Sequence, residues 1–288
     1  MKLVIIGGYG QVGQEFQKHV RAEDLILLSH IQIEVVDEES VRSCLEGFDF
    51  DVVINLAAFH NTDQCEEHKE KAFLVNCIGA HNVAKVSSEL NRKVVFFSTD
   101  YVFGLDSCRD TPYLESDIVA PVNTYGVSKA AGEMMVRAIN KNHLIVRSSS
   151  LYGVVTSKKG WTFPEKICKM AKAGELVRIV NDQVMSPTYT YELVERTIAF
   201  LEKDFTGTIH IAGRGRCSWY EFACATLELL GIDYKIEPVS SNTFASKASR
   251  PAYSVLGSAF FEKYRVKPMS FWKEALKQYL IEKGELRQ

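Results

Sequence analysis

Apolar residues fall into short unbroken runs along the first half of the chain, separated by segments with a helix-like pattern. The runs are "KLVIIG" (2–7), "LILLS" (25–29), "DVVINLA" (51–57), "KVVFFS" (93–98) and "HLIVRS" (143–148). Without polar alternation and only five to seven residues long, each reads as a strand buried on both faces. Between them lie the helix-like stretches 11–20, 38–46, 70–90 and 125–140. Strands alternating with helices predict βαβ units, a mostly parallel sheet and right-handed connections.

After residue 150 the rhythm loosens. "GVVTSKKGWTF" (153–163) reads as a loop-like insertion, "YTYELVERTIAFLEK" (189–203) as a helix and "GTIHIAG" (207–213) as one more strand. "SWYEFACATLELLG" (218–231) opens on Ser218 with Glu221 three positions on, a capping box, and stops at Gly231. A last amphipathic helix follows in "SFWKEALKQYLIEKG". There is no internal repeat and no long linker, so a second lobe packed on the first is expected, not a tethered domain.

The bulk numbers remove several function classes. At 288 residues the chain has room for one large domain or two small ones. With 46% hydrophobic and 24% charged residues it has the composition of a soluble globular protein. A formal net charge of −2 offers no basic field for nucleic acid or an acidic membrane. No apolar run approaches the roughly 20 residues of a membrane span, and the opening "MKLVIIGGYG" is too short in its apolar part for a secretory signal. Seven scattered cysteines, an odd number, suit free thiols in a reducing compartment. A cytoplasmic protein is expected.

"GGYGQVG" (7–13) closes the first run and opens the first helix. It satisfies Gly7-x-x-Gly10-x-x-Gly13 and Gly8-x-Gly10-x-x-Gly13 together. Glycines at this spacing allow a tight turn, close approach to a pyrophosphate, and close helix–strand packing. The helix N-terminus adds free amides and a positive dipole end. The turn predicts dinucleotide binding, with Gly7, Gly10, Gln11, Val12 and Gly13 as the contacts. The acidic residue expected to follow the second strand is missing: Ser29 and His30 stand there, and acids come only at Glu34 and Asp37. Those acids fit either a place near the adenine or a helix N-terminus, so NADPH and NADH both remain open.

The stretch "PVNTYGVSKAAGE" (121–133) sets Tyr125 and Lys129 four apart, on one helix face. A cation beside a phenol favours the phenolate, which predicts a lowered tyrosine pKa and a usable proton donor. "FFSTDYVFG" (96–104) places Ser98, Thr99, Asp100 and Tyr101 at the carboxyl end of a strand, where open α/β sheets hold their ligands. His60, Cys65, His68, Cys77 and His81 crowd into one region, but 70–82 reads as one continuous helix and no C-x-x-C pair anchors them. No metal site is expected.

Taken together, these residues resemble the extended short-chain dehydrogenase/reductases. In order along nearly the whole chain, "GQVGQEF", "DVVINLAAF", "STDYVFG", "NTYGVSKAAGE", "DQVMSPTYT", "IHIAGRGRCSWYEFA" and "RPAYSVL" resemble the dTDP-4-dehydrorhamnose reductase family. The resemblance implies a Rossmann-type doubly wound parallel sheet with a smaller C-terminal substrate-binding lobe. Residues 1–150, with 188–213 returning to them, would bind the cofactor; 151–187 and 214–288 would form the lobe. It implies Tyr125 as proton donor, Lys129 as its partner on the nicotinamide ribose, and Thr99 as the hydroxyl at the carbonyl oxygen. Ala57, Ala58, Phe59 and Asn76 would lie along the cofactor, and Asp100, Tyr101, Ser150 and Arg250 around the sugar. The reaction implied is NAD(P)H-dependent reduction at C4 of a nucleotide-linked, dTDP-type 4-keto-6-deoxy sugar, as in dTDP-L-rhamnose biosynthesis. A homodimer is left open. So are two other readings: a dehydratase or epimerase of the same fold, and a non-catalytic regulatory subunit such as the methionine adenosyltransferase β subunit.

The chain departs from the family pattern in three places. "RSSSLY" has Ser150 where the family usually has tryptophan, "RPAYSVLG" ends in Gly257 where an aspartate is usual, and "FHNTDQCEEH" after the third strand keeps Asp63 and Glu66 but otherwise diverges. These bear on which sugar is used more than on the reaction.

Overall fold

The computed structural model describes residues 1–155, 160–174 and 176–286. All five apolar runs form strands. The first half runs β1 (Leu3–Ile6), α1 (Gln11–His19), β2 (Leu25–Leu28), α2 (Glu38–Glu46), β3 (Val52–Asn55), α3 (Thr62–Glu67), α4 (Lys69–Phe73), α5 (Gly79–Glu89), β4 (Lys93–Thr99), α6 (Thr124–Ile139) and β5 (His143–Ser148). The second half runs β6 (Leu151–Tyr152), α7 (Phe163–Lys172), β7 (Val177–Val180), β8 (Val184–Met185), β9 (Thr188–Tyr189), α8 (Thr190–Glu202), β10 (Gly207–His210), β11 (Cys217–Ser218), α9 (Trp219–Leu229), β12 (Ile236–Val239), α10 (Phe260–Lys263) and α11 (Trp272–Glu282). Of the expected insertion 153–163, residues 156–159 lie outside the described residues.

Six strands pair in parallel in the order β10-β5-β4-β3-β1-β2. The chain leaves β1 toward β2, then returns to the other side of β1 with β3. The carboxyl ends of β1 and β3 therefore flank the crevice where such sheets bind ligands. Successive residues feed opposite layers. Leu3, Ile5, Val52, Ile54, Val95, Phe97, Leu144 and Val146 pack on α8 and the α10 region. Val4, Ile6, Val53, Val94, Phe96 and Ile145 pack on α2, α5 and α6. Burial on both faces explains why the strands read as unbroken apolar runs.

The helix expected over 70–90 is continuous in direction but not in pitch. Residues Leu74–Ile78 form a π-helical turn between α4 and α5. The extra residue in that turn accompanies a close approach: a Cβ on Gly132 of α6 would lie 2.3 Å from the Asn76 carbonyl oxygen. Beyond residue 150 the chain has a different texture. Four strands there (β6, β8, β9 and β11) are two residues long, and an aromatic cluster is built on Tyr152, Tyr189, Phe222, Trp272 and Tyr279. The capping box expected at Ser218 forms, with the Glu221 carboxylate 2.7 Å from Ser218 N.

Candidate active site

The glycine turn leaves β1 at Gly7, whose φ of +77° is a left-handed conformation that favours glycine. A Cβ there would also sit 3.2 Å from the Leu56 carbonyl carbon, at the end of β3. Gly13 packs α1 onto the turn so closely that a Cβ would fall 2.3 Å from the Gly8 carbonyl oxygen. Gly10 is different: its Cβ would meet only the Gly7 carbonyl oxygen, at 3.3 Å. Gly10 caps α1 without a side chain, so the amides at Gln11 and Val12 have no side-chain partner, and no acid occupies the first turn. The Gln11 Nε2 is buried without a hydrogen-bond partner. An open face above a helix N-terminus, with an idle buried amide beside it, fits a pyrophosphate.

Beyond β2, the Gln32 side chain folds back onto Ser29, accepting from its N–H at 2.9 Å and its hydroxyl at 2.8 Å. Asp37 caps α2, accepting from Glu39 N at 3.0 Å. Of the two places open to that acid, the structure uses the helix N-terminus.

The segment after β3 is held by amide side chains. Asn55 accepts from Ala57 N at 3.0 Å. Asn76, in the π turn, accepts from Phe59 N at 2.9 Å and donates to the Phe59 carbonyl at 3.0 Å and to Ser128 Oγ at 3.0 Å. One buried amide thus fixes the strand end Ala57–Phe59 against α6. Asn76 holds protein backbone, a role that spacing alone does not show.

Helix α6 starts on Asn123, which accepts from Gly126 N at 2.8 Å. Glu66 accepts from Thr124 N and from Thr124 Oγ1, both at 2.7 Å, placing a carboxylate at the positive end of the helix. Sequence reasoning did not assign Glu66 this place; the asparagine directly before the helix was the signal for its partner cap. A Cβ on Gly126 would lie 2.0 Å from the Tyr101 carbonyl oxygen, so the first turn of α6 presses on the end of β4. There the Tyr125 ring meets Tyr101 edge-on at 6.2 Å, and the Thr99 hydroxyl faces the Tyr125 phenol.

Lys129, one turn on, is 2% exposed with Nζ 3.9 Å from the Phe96 ring centroid. Burial lowers its pKa to about 7, with Glu133 opposing the shift. Burial pushes the Tyr125 phenol above its ordinary value, and the negative charge of Asp100 adds to this. The lowered phenol pKa expected from the Tyr125–Lys129 spacing is therefore absent: both groups are desolvated, and desolvation outweighs their attraction. Tyr125 is held as a phenol, the form that can give up a proton.

Asp100 is 3% exposed and turns inward. Its carboxylate accepts from Thr99 Oγ1 at 3.1 Å, Ser149 Oγ at 2.8 Å and Ser254 Oγ at 2.6 Å. Ser150 is next to Ser149, with φ +46°. Arg250 binds Asp63 at 3.1 Å, Thr62 Oγ1 at 3.2 Å, the Ala248 carbonyl at 3.3 Å and the Ser246 hydroxyl, and it faces the Tyr101 phenol. The structure thus gathers Thr99, Asp100, Tyr101, Tyr125 and Lys129 at the end of β4 and the start of α6, with Ser150 and Arg250 at the edge of that group.

Two further features complete the surroundings. Behind Lys129, Glu133 forms a buried bidentate pair with Arg147 at 2.8 and 2.6 Å, and accepts from Ser98 Oγ at 2.5 Å. The spacing of α6 carried a signal for it, since Tyr125, Lys129 and Glu133 repeat every four residues. Among the described residues, no group of three or more His, Cys, Asp or Glu could hold a metal ion. Likewise no helix among them is long and apolar enough to cross a membrane.

Residues 1–284 match the family model described as the RmlD substrate binding domain. The chain is 37% identical over 285 residues to the spore coat polysaccharide biosynthesis protein SpsK of Bacillus subtilis, covering 98% of both. It is 34% identical to a dTDP-4-dehydrorhamnose reductase of Mycolicibacterium smegmatis, over 96% of this chain and 84% of that one. The crystal structure of a dTDP-4-dehydrorhamnose reductase from Bacillus anthracis in complex with NADP superposes with a TM-score of 0.92 at 32% identity, covering 98% of this chain and all of that one. A UDP-glucose 4-epimerase from Thermus thermophilus, at 18% identity and TM-score 0.82, shares the fold. Fold, glycine turn and matched length lead to one conclusion: this chain belongs to the RmlD substrate binding domain family.

Proposed function

We propose that the chain reduces the C4 keto group of a nucleotide-linked, dTDP-type 4-keto-6-deoxy sugar, using NADPH or NADH. The observation that carries this reading is the meeting of Thr99, Tyr125 and Lys129 at the carboxyl end of β4. They stand across from a glycine turn shaped for a pyrophosphate. The relatives' names supply the substrate class: dTDP-4-dehydrorhamnose for one, dTDP-4-keto-6-deoxy-D-glucose for a Streptomyces niveus reductase 31% identical to this chain.

Gly7, Gly10, Gln11, Val12 and Gly13 would cradle the pyrophosphate; Ala57, Ala58 and Phe59, pinned by Asn76, would line the nicotinamide side. When bound, the reduced cofactor supplies the hydride. Tyr125, kept as a phenol, gives its proton to the O4 oxygen as the C4–hydride bond forms. The phenolate left behind is stabilised by Lys129, which orients the nicotinamide ribose, and it regains a proton from solvent. Tyr101 and Arg250 face the sugar and its diphosphate. Residues 1–150 with 188–213 serve as the cofactor domain, and 151–187 with 214–288 as the sugar-binding lobe. The reaction suits the cytoplasm, where the cofactor is reduced.

Elimination of water, as in a dehydratase, would need a base beside Asp100. Burial raises the Tyr101 phenol above its ordinary pKa, leaving it no base near neutral pH. The test is stoichiometry against dTDP-4-keto-6-deoxyhexoses. One NAD(P)H should be oxidised per sugar. Conversion with catalytic cofactor and no net oxidation would refute the reductase reading.

A further inference from the structure

Helix α3 is six residues long, yet three other parts of the candidate site are fastened to it. Buried Cys65 gives its thiol hydrogen to the Phe59 carbonyl at 3.3 Å, joining the helix to the strand end Ala57–Phe59. Asp63 accepts from Ser246 Oγ and from Ala248 N, both at 3.0 Å, and from Arg250 at 3.1 Å. Glu66 accepts from Thr124 N through one oxygen and from Thr124 Oγ1 through the other, both at 2.7 Å. At the end of the helix Glu67 pairs with Lys247, in the same segment as Arg250.

Thr124 is the first residue of α6 and Tyr125 the second. The first amides of a helix have no partner inside it, so groups from outside hold the first turn. Here Asn123 takes Gly126 N at 2.8 Å and Glu66 takes Thr124 N. Tyr125 therefore lies between two amides that side chains hold in place. Asn123 belongs to the loop that enters the helix, whereas Glu66 ties the turn to a separate element.

On the reductase reading given above, we propose that Glu66 is a positioning residue for Tyr125: through Thr124 it sets where the phenol stands relative to the keto carbon. Asp63 does the same for Arg250, three residues earlier on one face of α3. The short helix thereby fixes the span between the proton donor at the sugar and the cation at the diphosphate. Cys65 anchors the cofactor-side strand end to the same helix. What counts at Glu66 is its shape and its two hydrogen bonds more than its charge. A glutamine can accept the Thr124 N–H and donate to the hydroxyl, which turns to accept.

The test uses the full-length protein with NADPH and a dTDP-4-keto-6-deoxyhexose. Glu66→Ala removes both bonds to Thr124, and kcat should fall about 10- to 100-fold, as expected for a proton donor displaced by about 1 Å. KM for the sugar nucleotide and the calorimetric affinity for NADPH should stay near their wild-type values, since Arg250 and the glycine turn are untouched. Glu66→Gln should restore kcat to within about threefold of wild type, one hydrogen bond being exchanged for another of similar strength. Thr124→Val keeps the amide and loses the hydroxyl, so its kcat should fall between these two; it also carries the test should Glu66→Ala fail to fold. Near-normal kcat in Glu66→Ala, or in Thr124→Val where the alanine variant does not fold, would show that Glu66 serves the fold alone and would overturn the proposal. A glutamine variant as slow as the alanine one would overturn it in favour of a charge effect. Both results leave the reductase reading standing, because wild-type turnover is measured beside them. No turnover of any such sugar by wild type would overturn that reading and the positioning role together.

Discussion

The two sides of the site are built by different means. On the cofactor side, geometry comes from backbone and bulk: strands of four to seven residues buried on both faces, and a turn whose glycines admit no side chain at Gly7 and Gly13. On the proposed sugar side, two-residue strands and loops are tied by single side chains: Asp63 to Arg250, Asp100 to Ser254, and Asn123 to the Ser249 carbonyl at 2.8 Å. The cofactor crevice therefore depends on the whole core, whereas one substitution can reset the sugar pocket.

The largest effect should come where the two sides meet. Tyr125→Phe leaves the fold and the glycine turn intact but removes the proton donor, and kcat should fall by about 10²–10⁴. NADPH affinity, read by calorimetry, should barely change. A near-normal kcat would show that the proton comes from elsewhere.

On the cofactor side, Gly10 and Gly13 should separate binding from stability. Gly10→Val meets only one backbone oxygen at 3.3 Å, so the melting temperature should hold while NADPH binding drops below detection. Gly13→Val would force a contact of 2.3 Å with backbone and should cost both. Equal melting temperatures for the two would break the distinction.

Ion pairs give the next contrast. Glu133 and Arg147 are 1% and 3% exposed, so Glu133→Gln leaves a buried cation uncompensated and should cost about 3–5 kcal/mol in urea unfolding. Asp63 and Arg250, at 42% and 25% side-chain exposure, form a pair worth about 0–1 kcal/mol. Asp63→Asn should accordingly leave stability nearly unchanged and instead raise KM for the sugar nucleotide, because Arg250 loses its anchor. A large stability loss with unchanged KM would place Arg250 in the scaffold only.

The same division decides what could be read from sequence. The five strands, the glycine turn, the Ser218 cap and the Tyr125–Lys129 spacing all follow short-range rules of period or spacing, and each formed where expected, except that β2, at the sheet edge, is only partly buried. The π turn at Leu74–Ile78 did not announce itself, because what it packs against, Gly132 of α6, lies over fifty residues away in the chain. The raised Tyr125 pKa was likewise hidden: local spacing suggests attraction to Lys129, and only the packed structure reveals how completely both are desolvated. Asn76, Glu66 and Asp100 act through partners that are distant in the chain or face inward, so residue type alone could not assign their work.

The smallest predicted effect is also the sharpest test of the sugar side. Ser150 stands where the family usually has an indole, and it sits at φ +46°, a strain any non-glycine residue there already bears. Ser150→Trp should therefore add little backbone cost while offering a flat apolar face to the sugar ring. Aromatic stacking of that kind is worth about 0.5–1.5 kcal/mol, or about 2- to 13-fold in kcat/KM. The gain should appear with dTDP-4-dehydrorhamnose, mainly as a lower KM. With a bulkier 4-keto sugar the indole should obstruct and the ratio should reverse. The ratio of kcat/KM for the two sugars, in wild type and variant, cancels any shared loss from imperfect folding. An unchanged ratio would mean that position 150 does not face the sugar, and that the pocket's selectivity lies with Tyr101 and Arg250 instead.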